Sequence, residues 1–351
     1  MDSSHTTIVS SATSVAAKVI HYLGIDIAKA KFDVALTIKP TLNDGVKSTD
    51  RHKAKVFVNS TQGFDQLLAW LQAQGVHSEH HTVHCAMEAT GVYWEELAQA
   101  LAQAGLHVSV VNPAQIANYS KSLLQRGKTD IQDARSIARY CEAQRPTAWV
   151  QAPLAQRQLL ALVRQHQYLG NSLQAERNRH QTAQPVVQTS IETVMAALEV
   201  AITDLERLIK QHIDSNPDLK HNQDLLESIP GVGSKLSLWL LAYLGDGQKF
   251  GRGKQAAAYA GLNPSEWQSG SSVKGKSRIS KVGQCDLRKI LFMPALSVYG
   301  RHKQFTAFVE RLKAAGKAPK AIVVALMRKI LTIAQAVLKS QTPFNPAFHA
   351  S

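Results

Sequence analysis

Four acidic residues stand where carboxylates could bind metal ions and help to cleave a phosphodiester. Asp26 lies inside the apolar run 22–27, and Glu88 ends the apolar run 83–88. An acid in an apolar strand costs free energy unless its charge is paired or bound to a metal. We therefore interpret both acids as candidate ligands rather than as ordinary solvated charges.

The other two acids, Asp130 and Asp133, lie in the segment 128–135, which reads Lys-Thr-Asp-Ile-Gln-Asp-Ala-Arg. The segment opens a helical stretch, and residues three apart share one face of a helix. Both carboxylates could therefore point at the same ion. The pair also has a simpler explanation, because acids are favourable in the first turn of any helix.

Carboxylates that converge in this way could hold two Mg²⁺ ions about 3.5–4 Å apart, as in two-metal phosphoryl-transfer sites. Magnesium takes oxygen ligands and keeps several waters, which fits Asp and Glu side chains. His80, His81 and His84 alternate around the start of a strand, and we predict surface or packing roles for them. The sequence therefore predicts Mg²⁺ as the cofactor.

The elements that must position these acids follow an α/β order. The predicted strands are 20–27, 31–38, 55–59, 82–87 and 106–111, and the predicted helices are 61–71 and 92–104. Three strands followed by alternating helices and strands is the order of a ribonuclease-H-like domain. In that fold the first strand, the fourth strand and a late helix bring acids together. The polar loop 39–54 is predicted to be exposed.

The middle of the chain lacks strand patterning and is rich in Gln, Arg, Leu and Ala. It predicts two long helices, 154–183 and 190–213, which are broken near Pro185 because proline interrupts a helix. The two helices could form a coiled-coil hairpin or an oligomerisation arm.

A helix-hairpin-helix is predicted around Gly231 and Gly233. The segment 225–233, Leu-Leu-Glu-Ser-Ile-Pro-Gly-Val-Gly, precedes an apolar helix that runs through Leu244. Glycine permits a tight turn, and the amides at the start of the next helix can face a DNA phosphate. The alternative is a simple turn between two packed helices.

The stretch 268–281 is small, polar and basic, and contains Ser269 followed by Gly270. A serine is a poor nucleophile until a base or a metal activates it. The local sequence therefore favours a phosphate-binding loop over a catalytic serine. The residues predicted to contact nucleic acid are Lys128, Gly231, Gly233, Lys274, Lys276, Arg278, Lys281 and Arg288.

Composition indicates a polyanionic partner. The chain has 351 residues, with 40 Lys and Arg against 26 Asp and Glu and a formal charge of +14, which favours phosphates. Three scattered cysteines predict no disulfide framework and a cytoplasmic protein, which the charge would associate with the nucleoid. Residues 1–18 resemble a disordered tail, and no apolar run is predicted to reach the length of a membrane span.

In this order, the four acids, the segment 128–135, the Ile-Pro-Gly-Val-Gly hairpin at 229–233 and the Ser-Gly-Ser-Ser motif at 269–272 resemble the DEDD transposases. That family includes the Piv/MooV DNA invertases and the insertion-sequence recombinases guided by a bridge RNA. The resemblance runs from about residue 20 to residue 345, and its combined motifs are far more specific than any one of them.

The resemblance implies a RuvC-like catalytic domain at 19–150 and a mainly α transposase domain at 219–345, and the residue pattern predicts a helical coiled-coil linker between them at 151–218. The tetrad maps to Asp26, Glu88, Asp130 and Asp133, and the family's serine maps to Ser269. Ser271 and Ser272 are close enough in sequence that either could correspond to the family's serine instead.

The resemblance also implies the reaction and its partners. The serine attacks the DNA backbone and holds it as a phosphoserine linkage while strands exchange, so that no ATP is needed. Donor and target double-stranded DNA, a noncoding bridge RNA and a dimer that assembles into a tetramer are the implied partners.

Two other functions compete with that of a recombinase. In a hydrolytic, RuvC-like junction resolvase the tetrad would activate water and Ser269 would only bind phosphate. A structural nucleic-acid-binding protein would carry an idle metal site. The first is disfavoured by the additional C-terminal half of the chain, and the second because an idle site has no reason to retain all four acids in apolar settings.

Overall fold

The computed structural model describes residues 18–39, 51–123, 129–265, 268–269, 273–274 and 278–349. The chain divides into two compact units, of which the first ends at Gln151 and the second begins at Ala152. We describe each unit by itself.

The first unit is built on a five-stranded mixed sheet with the strand order β3-β2-β1-β4-β5. Its strands are β1 (Val19–Ile27), β2 (Lys31–Ile38), β3 (Arg51–Val58), β4 (His81–Glu88) and β5 (His107–Val111), and its helices are α1 (Thr61–Ala73), α2 (Glu95–Gln103), α3 (Pro113–Ser122) and α4 (Asp130–Gln144). Strand β2 is antiparallel to both of its neighbours, whereas β1, β4 and β5 run parallel. A mixed α/β N-terminal domain with a central sheet is therefore confirmed.

Strand β3 corrects the predicted loop 39–54, because pairing with β2 begins at Arg51 opposite Ile38. Most of β3 is solvent-exposed and basic. Residues 51–54 were not predicted as part of a strand because they lack alternating apolar residues. Charged residues suit such an edge strand because they discourage pairing with another chain.

The two faces of the sheet are covered differently. Helices α1 and α2 pack on a large apolar face that includes Leu23, Ile25 and Phe32. Helix α4 crosses the other face, where Tyr22 and Ala86 pack against Ile137 and Cys141 of the helix in a smaller cluster. This second face carries the acids, as described below.

The second unit is mainly helical, which confirms the expectation for the C-terminal region. Its helices are α5 (Leu154–Thr182), α6 (Pro185–Asp214), α7 (Pro217–Glu227), α8 (Ser234–Leu244), α9 (Gly253–Tyr259), α10 (Cys285–Arg301), α11 (Thr306–Ala314), α12 (Pro319–Ser340) and α13 (Pro346–His349), with a short 3₁₀ turn at Lys303–Phe305. Four two-residue strands lie between α9 and α10: β6 (Pro264–Ser265), β7 (Gln268–Ser269), β8 (Val273–Lys274) and β9 (Arg278–Ile279). The predicted break at Pro185 is confirmed, because this proline opens α6.

Among the residues that the structure describes, two helices are long and apolar enough to cross a membrane, contrary to the expectation that no run reaches that length. In α12 most of the apolar window is buried in the core of the second unit, as in the central helix of a globular domain. In α6 most of that window is exposed, but Leu205, Ile209 and Ile213 of the same helix join the core. Length and composition alone are weak evidence for a membrane span.

Candidate active site

Three acids of the first unit share one face of the sheet at one end. Asp26 lies directly opposite Asp33 in the antiparallel pairing of β1 with β2, so both point to the same side. Gly24 is level with Ala86 in the parallel pairing of β1 with β4. Asp26 lies two residues beyond Gly24, and Glu88 lies two residues beyond Ala86. Because side chains alternate along a strand, Glu88 joins the two aspartates on that face.

Helix α4 brings the other two acids to the same end. The side chain of Thr129 caps the helix by accepting a hydrogen bond from the amide of Gln132 at 3.3 Å. The first turn carries Asp130 and Asp133. The predicted helix opening is therefore confirmed, and the helix begins near the end of the sheet that carries Asp26.

The approach of α4 to the sheet depends on Gly24. A Cβ atom on Gly24 would lie 2.0 Å from the carbonyl oxygen of Ala134 and 2.3 Å from the amide nitrogen of Ala138. Any larger side chain would push the helix away from β1. The absence of a side chain is what allows the first turn of α4 to reach the acids of the sheet.

Asp33 was missed by the sequence reading, although it satisfies the same criterion as Asp26. It is an acid between two buried apolar residues, Phe32 and Val34, and only 3% of its surface is exposed. We refer to Asp26, Asp33, Glu88, Asp130 and Asp133 as the acid cluster. A search for every acid inside an apolar run would have found its fifth member.

Lys31 joins two members of the acid cluster. Its ammonium nitrogen lies 3.0 Å from the Oδ2 atom of Asp33 and 2.8 Å from the Oδ2 atom of Asp130. The hydrogen bond to Asp130, followed by that to Asp33, raises the pKa of the Lys31 ammonium. Lys31 is therefore a charged cation that bridges strand β2 and the first turn of α4.

The acid cluster supplies carboxylate oxygens, which are the ligands that Mg²⁺ prefers. Within the described ranges, however, no three Asp, Glu, His or Cys side chains are grouped closely enough to hold one ion. Each of the four predicted ligands already has a contact of its own, and one of those of Asp130 is to Lys31. The fold thus brings the predicted acids to one end of the sheet without converging them on a single point.

The histidines near Glu88 have packing roles, as expected. The Nε2 atom of His84 lies 2.8 Å from the hydroxyl of Ser109, and its ring stacks on His107 at 4.0 Å. His81 pairs with His21 at 2.9 Å. Burial, aided by the neighbouring imidazole, lowers the pKa of His84 to about 4.

The backbone of Ser269 lies in β7, opposite Val273 of β8. The alternatives Ser271 and Ser272, as well as the predicted nucleic-acid contacts Lys128 and Lys276, lie outside the described residues. The backbone of Lys274 follows Val273 in β8.

Three further residues predicted to bind nucleic acid lie around the start of α10. Arg278 in β9 and Lys281 after it are exposed. The guanidinium of Arg288 donates hydrogen bonds to the carbonyls of Ala260 at 2.8 Å and Gly283 at 3.2 Å. Arg288 therefore ties two loops together, a structural use that the sequence reading did not anticipate.

The predicted hairpin around Gly231 is a tight turn between helices α7 and α8. Gly231 has φ +87°, and a Cβ atom there would lie 2.2 Å from the Cγ2 atom of Val298. Gly233 is the N-cap of α8, with open space around it. The geometry explains why the turn needs glycine at 231.

Comparison with known proteins identifies both units. Residues 23–183 match the DEDD transposase family named after insertion element IS110, and residues 223–310 match the transposase family IS116/IS110/IS902.

Relatives extend this match over nearly the whole chain. The pilin gene-inverting protein of Moraxella bovis is 39% identical over 329 residues, which cover 93% of this chain and 98% of the relative. The pilin gene-inverting protein of Moraxella lacunata is similar to the same extent. An uncharacterised 43.6 kDa protein of the insertion element IS110 from Streptomyces coelicolor is 26% identical over 148 residues, covering 42% of this chain and 36% of the relative. The chain therefore belongs to the IS110 family of DEDD transposases and is a DNA transposase/recombinase.

Proposed function

We propose that the chain cuts and rejoins DNA at specific sites through a Mg²⁺-dependent carboxylate site on a RuvC-like domain and a serine nucleophile at Ser269. The observation that carries the first half is the gathering of Asp26, Glu88, Asp130 and Asp133 at one end of one sheet face. The second half rests on family membership and on the Ser-Gly motif.

The carboxylates would hold the ions and set their position. Their oxygens fit Mg²⁺, and the ammonium of Lys31 between Asp33 and Asp130 indicates that a cation is favourable there. When bound, Mg²⁺ would lower the pKa of the attacking hydroxyl and stabilise the leaving oxygen. The rigid anchors are β1 and β4, which carry Asp26 and Glu88, whereas Asp130 and Asp133 lie on the first turn of α4.

Ser269 would make the reaction a transfer rather than a hydrolysis. Its Oγ atom forms a bond to the scissile phosphorus, the bond from that phosphorus to the sugar oxygen breaks, and the hydroxyl proton leaves as the sugar oxygen gains one. The phosphoserine linkage conserves the energy of the phosphodiester. A sugar hydroxyl of another strand then attacks it and releases the serine.

The relatives support site-specific rejoining. Those named for inverting a pilin gene align over nearly the full chain at 39% identity, and inversion requires that both cut ends be joined again. We extend this to a cytoplasmic enzyme that acts on donor and target DNA. The excess of basic residues is consistent with a bridge RNA, whose base pairing would select the sites while the protein holds the backbone.

Geometry supports a helix-hairpin-helix at α7 and α8 and an assembly in which the units of different subunits cooperate. The tight turn at Gly231 leads directly to Gly233, the N-cap of α8. The long hairpin of α5 and α6 exposes Val186, Val194 and Val200, which suits an oligomerisation arm. A dimer that assembles into a tetramer is the expected form.

The metal half is tested on a supercoiled plasmid that carries the protein's own gene with its flanking DNA, together with RNA transcribed from those flanks. Asp26→Asn should abolish strand cleavage in Mg²⁺ and leave DNA binding intact, because it removes a ligand charge without removing a DNA contact. Asp65→Asn, an exposed acid of α1, is the matched control and should cleave normally. Cleavage retained by Asp26→Asn would remove this residue from the site.

A further inference from the structure

We propose that Lys31 is an exchangeable counter-ion of the acid cluster, held in place by Asp33, and that metal binding transfers Asp130 from Lys31 to the ion. The inference rests on the proposed function, because it assumes that the cluster binds Mg²⁺. It assigns roles to two residues outside the predicted tetrad.

Asp33 is placed to hold the lysine. Its side chain is 5% exposed, while that of Lys31 is 47% exposed. The two residues are neighbours on one face of β2, and their ion pair spans 3.0 Å. A nearly buried carboxylate needs a charged partner, so Asp33 fixes the ammonium at the end of the sheet that carries the acids.

Asp130 is the partner that can be released. Its side chain is 58% exposed, and it lies in the first turn of α4, a helix N-terminus. An ion pair between such exposed groups contributes little to stability, because water screens the two charges. A divalent ion that takes the same carboxylate would therefore displace Lys31 at small cost, while Asp33 retains it.

The bridge also accounts for the arrangement of the cluster. Carboxylates close together repel each other, and a cation among them relieves the repulsion. Lys31 supplies that charge and points the carboxylate of Asp130 towards β2. On this inference, an ion shared by Asp26, Glu88, Asp130 and Asp133 would take the carboxylate of Asp130 from Lys31. Lys31 is thus a positioning residue for Asp130.

The test is the affinity for metal, measured by calorimetry with Mg²⁺ and by the electron paramagnetic resonance of Mn²⁺. Lys31→Met keeps the aliphatic chain but removes the competing charge, so it should bind Mn²⁺ about two- to fivefold more tightly, the range set by an exposed ion pair. Lys31→Arg keeps the competition and should show no gain. Equal or weaker binding by Lys31→Met would overturn the inference.

A second measurement follows thermal unfolding in EDTA and in Mg²⁺. Lys31→Met should melt at a lower temperature than the wild type in EDTA, because the acids lose their counter-ion. Added Mg²⁺ should raise its melting temperature by more than it raises that of the wild type. If the wild type binds no metal ion at all, the proposed metal site fails and this inference with it. If the wild type binds metal and Lys31→Met differs in neither measurement, only the inference fails.

A separate observation concerns the space between α4 and the exposed strand β3. A groove of about 230 Å³ lies there. The basic residues that line it are His52, Lys53, Arg135 and Arg139. Its lining also includes Ala35, Thr37 and Ala138. These small side chains keep it open.

The two arginines of this basic groove are unfavourable neighbours. Arg135 and Arg139 are one helical turn apart on α4, where like charges destabilise a helix. No carboxylate in the described segments forms an ion pair with either of them. Both are exposed, so their charges are available to a ligand.

The basic groove begins beside the acid cluster. Ala35 of its lining follows Asp33 by two residues on the same face of β2. We infer that the groove holds the backbone of the DNA strand whose scissile phosphate reaches the acids. A phosphodiester backbone fits the positive charge of the groove, and the inference again rests on the proposed function.

The test is the salt dependence of binding to a duplex DNA and to an RNA hairpin in EDTA, where no cleavage interferes. The plot of log affinity against log salt has a negative slope. The double variant Arg135→Gln with Arg139→Gln should make that slope for DNA less steep by about 1.5, because each lost phosphate contact removes about 0.7–0.9. Arg135→Lys with Arg139→Lys should restore it. Arg179→Gln with Arg207→Gln, an equal charge change on α5 and α6, should leave the slope unchanged.

An unchanged slope for DNA, or a fall for RNA alone, would overturn the assignment of the groove to DNA. An equal fall in the Arg179 and Arg207 variant would mean that net charge, rather than the groove, is responsible. Cleavage assays are scored separately: a protein that cuts no DNA but shows the expected slopes would contradict the proposed function without contradicting the groove.

Discussion

Gly24 and Ala134 are in backbone contact: a Cβ atom on Gly24 would lie 2.0 Å from the carbonyl oxygen of Ala134. This contact sets the distance between strand β1 and helix α4. It therefore also sets how closely Asp133, the residue immediately before Ala134, can approach Asp26.

Gly24→Ala should destabilise the protein and reduce DNA cleavage together. The added methyl group meets backbone atoms that cannot move aside, and such overpacking costs about 1–3 kcal/mol or more. Urea unfolding and the plasmid assay measure the two effects. Gly170→Ala in α5, with open space around it, is the control and should stabilise the protein, since alanine favours a helix.

Substitutions of the two glycines in the turn between α7 and α8 should have different effects on stability. Gly231→Ala should lower the free energy of unfolding by about 1–3 kcal/mol, because Gly231 has positive φ and contacts Val298. Gly233→Ser at the N-cap should be neutral or stabilising, because a serine hydroxyl can cap the amides of α8. Equal losses for both variants, measured in urea, would contradict this description of the turn.

Acid should weaken the fold through two buried histidines. Burial, followed by the charge of a neighbouring imidazole, lowers the pKa values of His21 and His84 from 6.5 to about 4. The unfolded chain then binds more protons than the folded chain between these values, so stability is complete above pH 6.5 and falls as the pH drops towards about 4.

The size of this effect is on the order of 2–3 kcal/mol per histidine. His84→Gln keeps a hydrogen-bonding partner for Ser109 and removes one of the two titrations, so the fall in unfolding free energy from about pH 7 to about pH 5 should be smaller than in the wild type. The carboxylates are common to both proteins and cancel. An identical fall would show that His84 does not titrate in this way.

Local pattern was sufficient for the strands that carry Asp26 and Glu88, because an acid inside an apolar run is visible without any structure. It failed for residues 51–54 of β3, whose basic side chains carry no apolar alternation. Helix α3 was also missed, although Pro113 in the first turn and the Asn112 cap are recognisable helix-start signals.

Contacts between distant parts of the chain could not be predicted in the same way. The spacing of residues in α4 gives its acidic first turn, but not its packing on Gly24. The register that sets Asp33 opposite Asp26 depends on the length of the hairpin between β1 and β2. The bridge from Lys31 to Asp130 requires both the packing of α4 on Gly24 and the register of β1 with β2. Local sequence patterns predict neither of them.

The central claim is that one reaction uses the carboxylates and Ser269 together. Its most direct test is mass spectrometry of the protein after incubation with the plasmid, the flank-derived RNA and Mg²⁺, followed by digestion with nuclease and protease. We expect a nucleotide attached to the peptide that contains Ser269, present in the wild type and lost in both Ser269→Ala and Asp26→Asn. Cut DNA without any nucleotide-linked peptide, formed equally by Ser269→Ala, would mean hydrolysis by the acids alone and would contradict the claim.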